Sequence, residues 1–376
     1  MRKLIIPFLA LALALTGCAG TPEPGPSLTA SSGVWANGFP ANATIGVSLP
    51  PKTTCCSSPI ETLFIDRLQE IGFESILMFA EGGRTEQQAQ IKAMIGAGSA
   101  VIIIGAVDVS YLHEELASAK KAGITIIAYG GLLRDTPDVD MYIAFDNCQV
   151  GTLQGTALLE GLAKRGDGPF NIELIAGAPD DASSKTFFEC AVKVLQPKID
   201  DGTLRIPSGQ LTQAQVGTEG WLAANVQERF NSILSDFYSD GTLLDGILSP
   251  NDTLGRAAIT TIADASLPIP VVTGQDSETE SVEWIASGKQ YSTIYKNTAV
   301  LIEETINLVQ LLQKGQEIAF TDTTTFDNGV KIVPAYMVPT VLVTKENVCT
   351  AYDPVTSASH AAAKTPFCRG EVGANP

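Results

Sequence analysis

Ala100-Val101-Ile102-Ile103-Ile104 is an unbroken apolar run with four β-branched residues, set between two amphipathic stretches at 86–97 and 111–122. A strand without polar alternation is buried on both faces, as strands are in a parallel sheet covered by helices. Outward from this run the pattern repeats on both sides. Residues 44–49, 74–79, 124–129 and 141–145 read as further strands. Residues 59–71 read as a helix with Ile60, Leu63, Phe64 and Leu68 on one face. The first part of the chain therefore has the grammar of a doubly wound α/β domain.

The same grammar starts again after Phe145. Helices are expected at 149–163, 185–195, 226–238 and 254–263, with strands at 170–175, 204–207, 246–248 and 271–273. The expected fold class is α/β, with two doubly wound parallel-sheet lobes. Ligands of such sheets bind beyond the carboxyl ends of the strands. Polar residues placed just after the apolar runs are thus candidates: Lys52, Asp108, Asp180, Asp181, Asn251, Asp252, Gln275, Asp276 and Lys296.

Charge excludes one class of partner. The chain carries 24 basic and 41 acidic residues, a formal net charge of −17. Without a basic cluster to oppose that field, phosphate backbones are repelled, and nucleic acid is not an expected partner. At the N-terminus, Arg2 and Lys3 precede an apolar stretch at 4–15 and then Leu15-Thr16-Gly17-Cys18. A transmembrane helix takes about 20 apolar residues, and this stretch is shorter and interrupted by Pro7. It reads as a lipoprotein signal, with cleavage before Cys18 and lipid on that sulfur, so the chain is expected outside the cytoplasm and anchored to the cell membrane. Loss of Arg2 and Lys3 takes the mature charge to −19. Residues 18–42, rich in Gly, Pro, Ser and Thr, read as a tether.

Seven cysteines less Cys18 leave six in an oxidising compartment, where disulfides are expected. Cys349 with Cys368, which bracket a polar C-terminal segment, and Cys148 with Cys190, in neighbouring helices, are the expected pairs. The sequence does not itself fix the connectivity. There is no C-x-x-C pair and the two histidines are His113 and His360, so neither a metal site nor a cofactor is expected. His113 is expected on an exposed helix face. Gly-x-Ser-x-Gly, Gly-x-x-x-x-Gly-Lys and HExxH motifs are absent from the sequence, and nucleophilic catalysis has little to work with.

The strand ends carry binding chemistry instead. Asn251-Asp252 and Gln275-Asp276 each place a carboxylate at a strand-to-helix junction, and Lys296 follows Tyr291-Ser292-Thr293-Ile294-Tyr295. Carboxylates that accept from hydroxyls, beside amides and an ammonium that donate, suit a polyhydroxylated ligand. Each carboxylate alone could simply cap the following helix. Asp180 and Asp181 open another such loop, where capping with ligand contact is expected over a catalytic dyad, because adjacent side chains diverge.

Several stretches together resemble the sugar-binding receptors of ABC importers, type I fold, in their xylose and multiple-sugar branch. They are Tyr142-Ile143-Ala144-Phe145-Asp146-Asn147-Cys148-Gln149-Val150-Gly151, Gly177-Ala178-Pro179-Asp180-Asp181, Leu248-Ser249-Pro250-Asn251-Asp252, Val272-Thr273-Gly274-Gln275-Asp276 and Tyr291-Ser292-Thr293-Ile294-Tyr295-Lys296. The resemblance implies two lobes joined by three crossing strands, which close on a sugar by a hinge motion and present it to ABC permease subunits. It places Asn251, Asp252, Asp276 and Lys296 at sugar contacts and the loop from Asp180 through Ser183 to Lys185 at another. Asn147 falls at the first crossing, where ligand binding and fixing the hinge are both open to it.

The departures are specific. The Tyr-Asp-Arg of these receptors is replaced by Tyr129-Gly130-Gly131, which removes a carboxylate and a guanidinium. An Arg-Trp pair in the first loop is replaced within Pro50-Pro51-Lys52-Thr53-Thr54-Cys55-Cys56. A disulfide between Cys55 and Cys56 would make a flat apolar plate there; free thiols or distant partners are the alternatives. The expected organisation is a signal at 1–17, a tether at 18–42, a first lobe at 43–146 with 297–328, a second at 147–296 with 329–343, and a tail at 344–376. The expected function is a monomeric, non-enzymatic receptor for a sugar or polyol, with a sensory co-receptor for a membrane kinase or a non-sugar binder as alternatives.

Overall fold

The computed structural model describes residues 38–52, 59–352 and 357–371. The chain opens with β1 (Thr44–Leu49), α1 (Pro59–Glu70), β2 (Glu74–Phe79), α2 (Arg84–Gly96), β3 (Val101–Ile104), α3 (His113–Lys121), β4 (Thr125–Tyr129) and β5 (Met141–Phe145). It continues with α4 (Asn147–Ala163), β6 (Phe170–Leu174), α5 (Ala182–Asp200), β7 (Leu204–Arg205), α6 (Gln213–Val216), a 3-10 turn at Glu219–Trp221, α7 (Ala223–Phe237), β8 (Gly246–Leu248), α8 (Asp252–Asp264), β9 (Val271–Val272), α9 (Thr279–Ser287) and β10 (Ser292–Tyr295). It ends with α10 (Thr298–Gln313), β11 (Ala335–Val338), β12 (Val341–Thr344) and α11 (Ser357–Lys364).

The first lobe is a parallel sheet in the order β11-β5-β4-β3-β1-β2. The apolar run of β3 shows why it carries no polar residue. Val101 and Ile103 enter a core with Phe64, Leu68 and the α10 residues Leu301, Ile302 and Ile306. Ile102 and Ile104 enter a second core with Ile91, Met94, Leu116 and Ala119. Successive side chains point to opposite faces, and each face is covered by helices.

The second lobe has a four-stranded parallel sheet in the order β7-β6-β8-β9, and the antiparallel pair β10-β12. Tyr291 N donates to Val272 O at 3.1 Å and Asp276 N to Ile294 O at 2.9 Å, which hangs that pair on the sheet edge. The chain crosses between lobes three times: from β5 to α4, from β10 to α10 and from β11 to β12. Two crossings are tied together, since Gln149 Oε1 accepts from Thr340 N at 2.9 Å and Thr340 Oγ1 at 3.2 Å.

Three expectations change. Residues 329–343 do not all join the second lobe, because β11 pairs in parallel with β5 and Val333 and Ala335 are buried in a first-lobe core. Only β12 lies with the second lobe. The tail from residue 344 is in part a piece of the second lobe: Val348, Tyr352, Ala361 and Ala362 pack with Val282, Ile285 and Ala286 of α9. The small alanine face of α11 allows that close approach. Helix α5 starts at Ala182, ahead of the expected start near Lys185, because Asp181 caps it. Both expected disulfides are present, Cys148–Cys190 and Cys349–Cys368. Cys18, Cys55 and Cys56 lie outside the described residues. Among the described residues no helix is long and apolar enough to cross a membrane.

Candidate ligand-binding cleft

A cleft of about 400 Å³ opens between the carboxyl ends of the two sheets. The first lobe contributes Gly130 after β4, and Ala144 and Phe145 at the end of β5. The second contributes Asn147, Asp181, Ser183, Phe187, Trp221, Asn251, Gln275, Asp276 and Lys296. The site is asymmetric: one wall is almost bare of charge, and the other carries donors and acceptors of both kinds.

Local structure explains each placement. Asp181 accepts from Ser183 N at 2.8 Å and Ser184 N at 3.3 Å, and so caps α5 while its side chain reaches the cleft. Asn251 caps α8 through Leu254 N at 3.0 Å. Such caps satisfy amide groups that a helix start leaves open. Asp276 caps nothing. Its φ is +94° and that of Ser277 is +52°, backbone that L-residues seldom adopt. The strain turns the Asp276 side chain toward Lys296, whose Nζ lies 2.9 Å from Asp276 Oδ1. Beside them Gln275 is 4% exposed, and its Oε1 has no hydrogen-bond partner among the described residues. Buried polar atoms are costly without partners, so this acceptor favours a donor from outside the protein.

An aromatic corner completes the polar wall. Phe187 and Trp221 have ring centroids 6.2 Å apart at 49°. Trp221 also has a positive φ, +57°, and its indole lies over Gly177. A Cβ on Gly177 would stand 2.0 Å from Trp221 Cη2, so only glycine leaves room for the ring.

Seven of the residues expected from the sequence meet in this cleft: Asn147, Asp181, Ser183, Asn251, Gln275, Asp276 and Lys296. Six described ones do not line it. Lys52 sits over the Phe79 ring, 4.6 Å from its centroid, and its amide donates to Glu81. Tyr129 turns into the first core edge-on to Phe64, and burial raises its hydroxyl pKa well above the usual range. Asp180 and Lys185 point to solvent, because Asp181 takes the inward direction at the turn. Asp108, another strand-end residue, pairs with Arg84.

Asp252 is the instructive displacement. It is fully buried beneath the cleft and accepts from Glu278 N, Gln290 Nε2 and Thr293 Oγ1, each at 2.9 Å. Its neighbour Asn251 takes the exposed side. Burial pushes the Asp252 carboxyl up to about 8, against those three hydrogen bonds and with help from the charge of Asp276. Asp252 ties the starts of α8 and α9 to β10, and is a brace for the Gln275-Asp276 loop.

Phe145, Phe187 and Trp221 were not candidates on sequence grounds: Phe145 in a strand and Phe187 in a helix read as core, and Trp221 follows no apolar run. The usable signal was Trp221 itself, a lone tryptophan in the short polar segment Gly217-Thr218-Glu219-Gly220.

A family model described as a periplasmic binding protein domain matches residues 45–317. The chain is 38% identical over 333 residues to the multiple sugar-binding periplasmic receptor ChvE of Rhizobium radiobacter, covering 85% of this chain and 94% of that protein. It is 30% identical over 287 residues to the D-xylose-binding periplasmic protein of Escherichia coli K12, covering 76% and 82%. Among solved structures it is similar to an ABC transporter solute-binding protein from Clostridium phytofermentans with bound β-D-glucose. That match has a TM-score of 0.68 and 34% identity, over 81% of this chain and 94% of that one.

Proposed function

The chain belongs to the periplasmic binding protein domain family, with the type I fold, and from that premise we propose that it captures a sugar or sugar-like polyol for an ABC importer. The observation that carries this reading is the second-lobe wall of the cleft. Asp276 and Asp181 supply acceptors, Lys296 a donor, and Asn147, Asn251 and Gln275 both kinds, beside the Phe187–Trp221 corner. Hydroxyl groups need that mixture, and a flat apolar sugar face suits an aromatic ring. The relatives named above carry sugars in their names or their sites.

The site binds and releases its ligand unchanged. The receptor works as a monomer outside the cytoplasm, held to the membrane by lipid on Cys18 and handing ligand to permease subunits. The signal at residues 1–17, followed by Cys18, supports the anchor, and Cys18→Ala is expected to release the protein from membranes. The bare first-lobe wall, with Gly130 in place of a carboxylate, argues for a ligand read mainly by the second lobe.

A thermal-shift screen tests the proposal with D-glucose, D-xylose, L-arabinose and myo-inositol, against amino acids and nucleosides. A ligand at 100 times its Kd stabilises the folded state by about 2.7 kcal/mol, a readily measured rise in Tm. A shift with an amino acid or nucleoside and none with any sugar or polyol would refute the sugar assignment.

A further inference from the structure

Phe187 stands between the cleft and the hinge. It lines the cleft on one side, and on the other it is buried with Val150 of α4, Ile294 of β10 and Leu342 of β12. The strands β10 and β12 are those that run directly into the second and out of the third crossing. Whatever holds Phe187 therefore sets the aromatic corner and its packing against the crossing strands together.

Two features hold it. The first is a backbone contact without side-chain padding: a Cβ on Gly151 would stand 2.0 Å from Phe187 O, and one on Gly155 2.8 Å from Ala191 O. Helices α4 and α5 approach there more closely than a side chain at Gly151 would allow. The second is covalent. Cys148 follows Asn147 at the start of α4, and Cys190 lies one helical turn beyond Phe187 on α5, so the bond closes the interface at its cleft end. The bonded cysteines thus join a helix that begins with one cleft residue, Asn147, to a helix that carries three more, Asp181 as its cap, Ser183 and Phe187.

We infer that the Cys148–Cys190 disulfide is a positioning element of the ligand site: it fixes Asn147 against Phe187 and thereby the Phe187–Trp221 corner, so that ligand affinity depends on it. The inference rests on the cleft being the sugar site. A cross-link that acts only on the unfolded chain raises stability without changing affinity, whereas one that preorganises a site lowers the cost of ordering on binding. The other disulfide, Cys349–Cys368, joins two positions in the segment behind α9 and bonds no helix of the cleft, and so serves as the comparison.

The experiment uses the full chain, a Cys148→Ser/Cys190→Ser double variant and a Cys349→Ser/Cys368→Ser double variant. D-glucose binding is measured by calorimetry well below each Tm, and hydrogen exchange is measured without ligand. The first variant is expected to bind about tenfold more weakly, as for a loosened site, and to exchange faster over residues 183–190 and 218–222. The second is expected to keep parental affinity and parental exchange in those segments. Parental affinity in the first variant, or equal loss in both, overturns the inference. Should D-glucose not bind the parent, the choice of sugar is what fails and not the positioning claim, which exchange then decides: parental rates over 183–190 and 218–222 overturn it.

Discussion

Lys296 Nζ and Asp276 Oδ1 lie 2.9 Å apart at the ends of adjacent β segments, each side chain about one-third exposed to the cleft. The pair is open enough to be screened, so its worth to folding is small. Its value is as a donor and an acceptor held side by side for adjacent hydroxyl groups.

Asp276→Asn should therefore retain the fold and lose binding. Asparagine tolerates the positive φ of this position better than alanine does, so it isolates the charge from the backbone. Hydrogen bonds to charged groups contribute about 1.5–3 kcal/mol, so affinity for the best sugar should fall about 10- to 100-fold. Circular dichroism and titration calorimetry check the two halves; parental affinity would show that the ligand lies elsewhere.

Gly177→Ala should move Trp221. The added methyl falls inside the indole, and the ring has to leave its shelf. Overpacking of this kind costs about 1–3 kcal/mol. The expected result is a lower Tm, altered tryptophan fluorescence and weaker sugar binding; an unchanged emission spectrum would show that the ring does not rest on that glycine.

Stability should fall as pH rises from about 5 to 8. The Asp252 carboxyl is pushed up to about 8 in the folded protein, far above its usual value. Over this interval the folded state holds a proton that the unfolded state has released, so stability is greatest at low pH and is lost as pH rises through the folded value. Glu173, also raised by burial, acts with the same sign. Carboxylates held low, such as Glu346 at about 2, are ionised in both states there and add no slope. Asp252→Asn should flatten the dependence of Tm on pH, and an unaltered slope would contradict the buried, protonated carboxyl.

The two-lobe fold and the strand-end position of the site were legible because a buried parallel strand such as β3 must be apolar throughout, which leaves its polar neighbours to mark the rim. The cap at Asp181 was equally readable, whereas the cap of α8 falls on Asn251 and not on the expected carboxylate of Asp252. What sequence could not resolve was direction within a pair. Asp180 and Asp181 diverge, and so do Asn251 and Asp252, through a one-residue difference in where a helix begins. The aromatic corner was hidden for another reason: Phe187 comes from a helix and Trp221 from a separate turn, so their meeting depends on the Gly151 and Gly177 contacts. Residues 335–338 belong to the first lobe against expectation, because four apolar residues just before a crossing fit either sheet edge.

None of the six hydrophobic clusters among the described residues draws side chains from both lobes. Among the described residues the halves are joined by three passages of chain and share no apolar core. Each half should then melt with its own heat-capacity peak in the empty protein, since cooperativity requires shared packing. A guest that touches both would couple them, and differential scanning calorimetry at saturating ligand should show the two peaks drawing together into one.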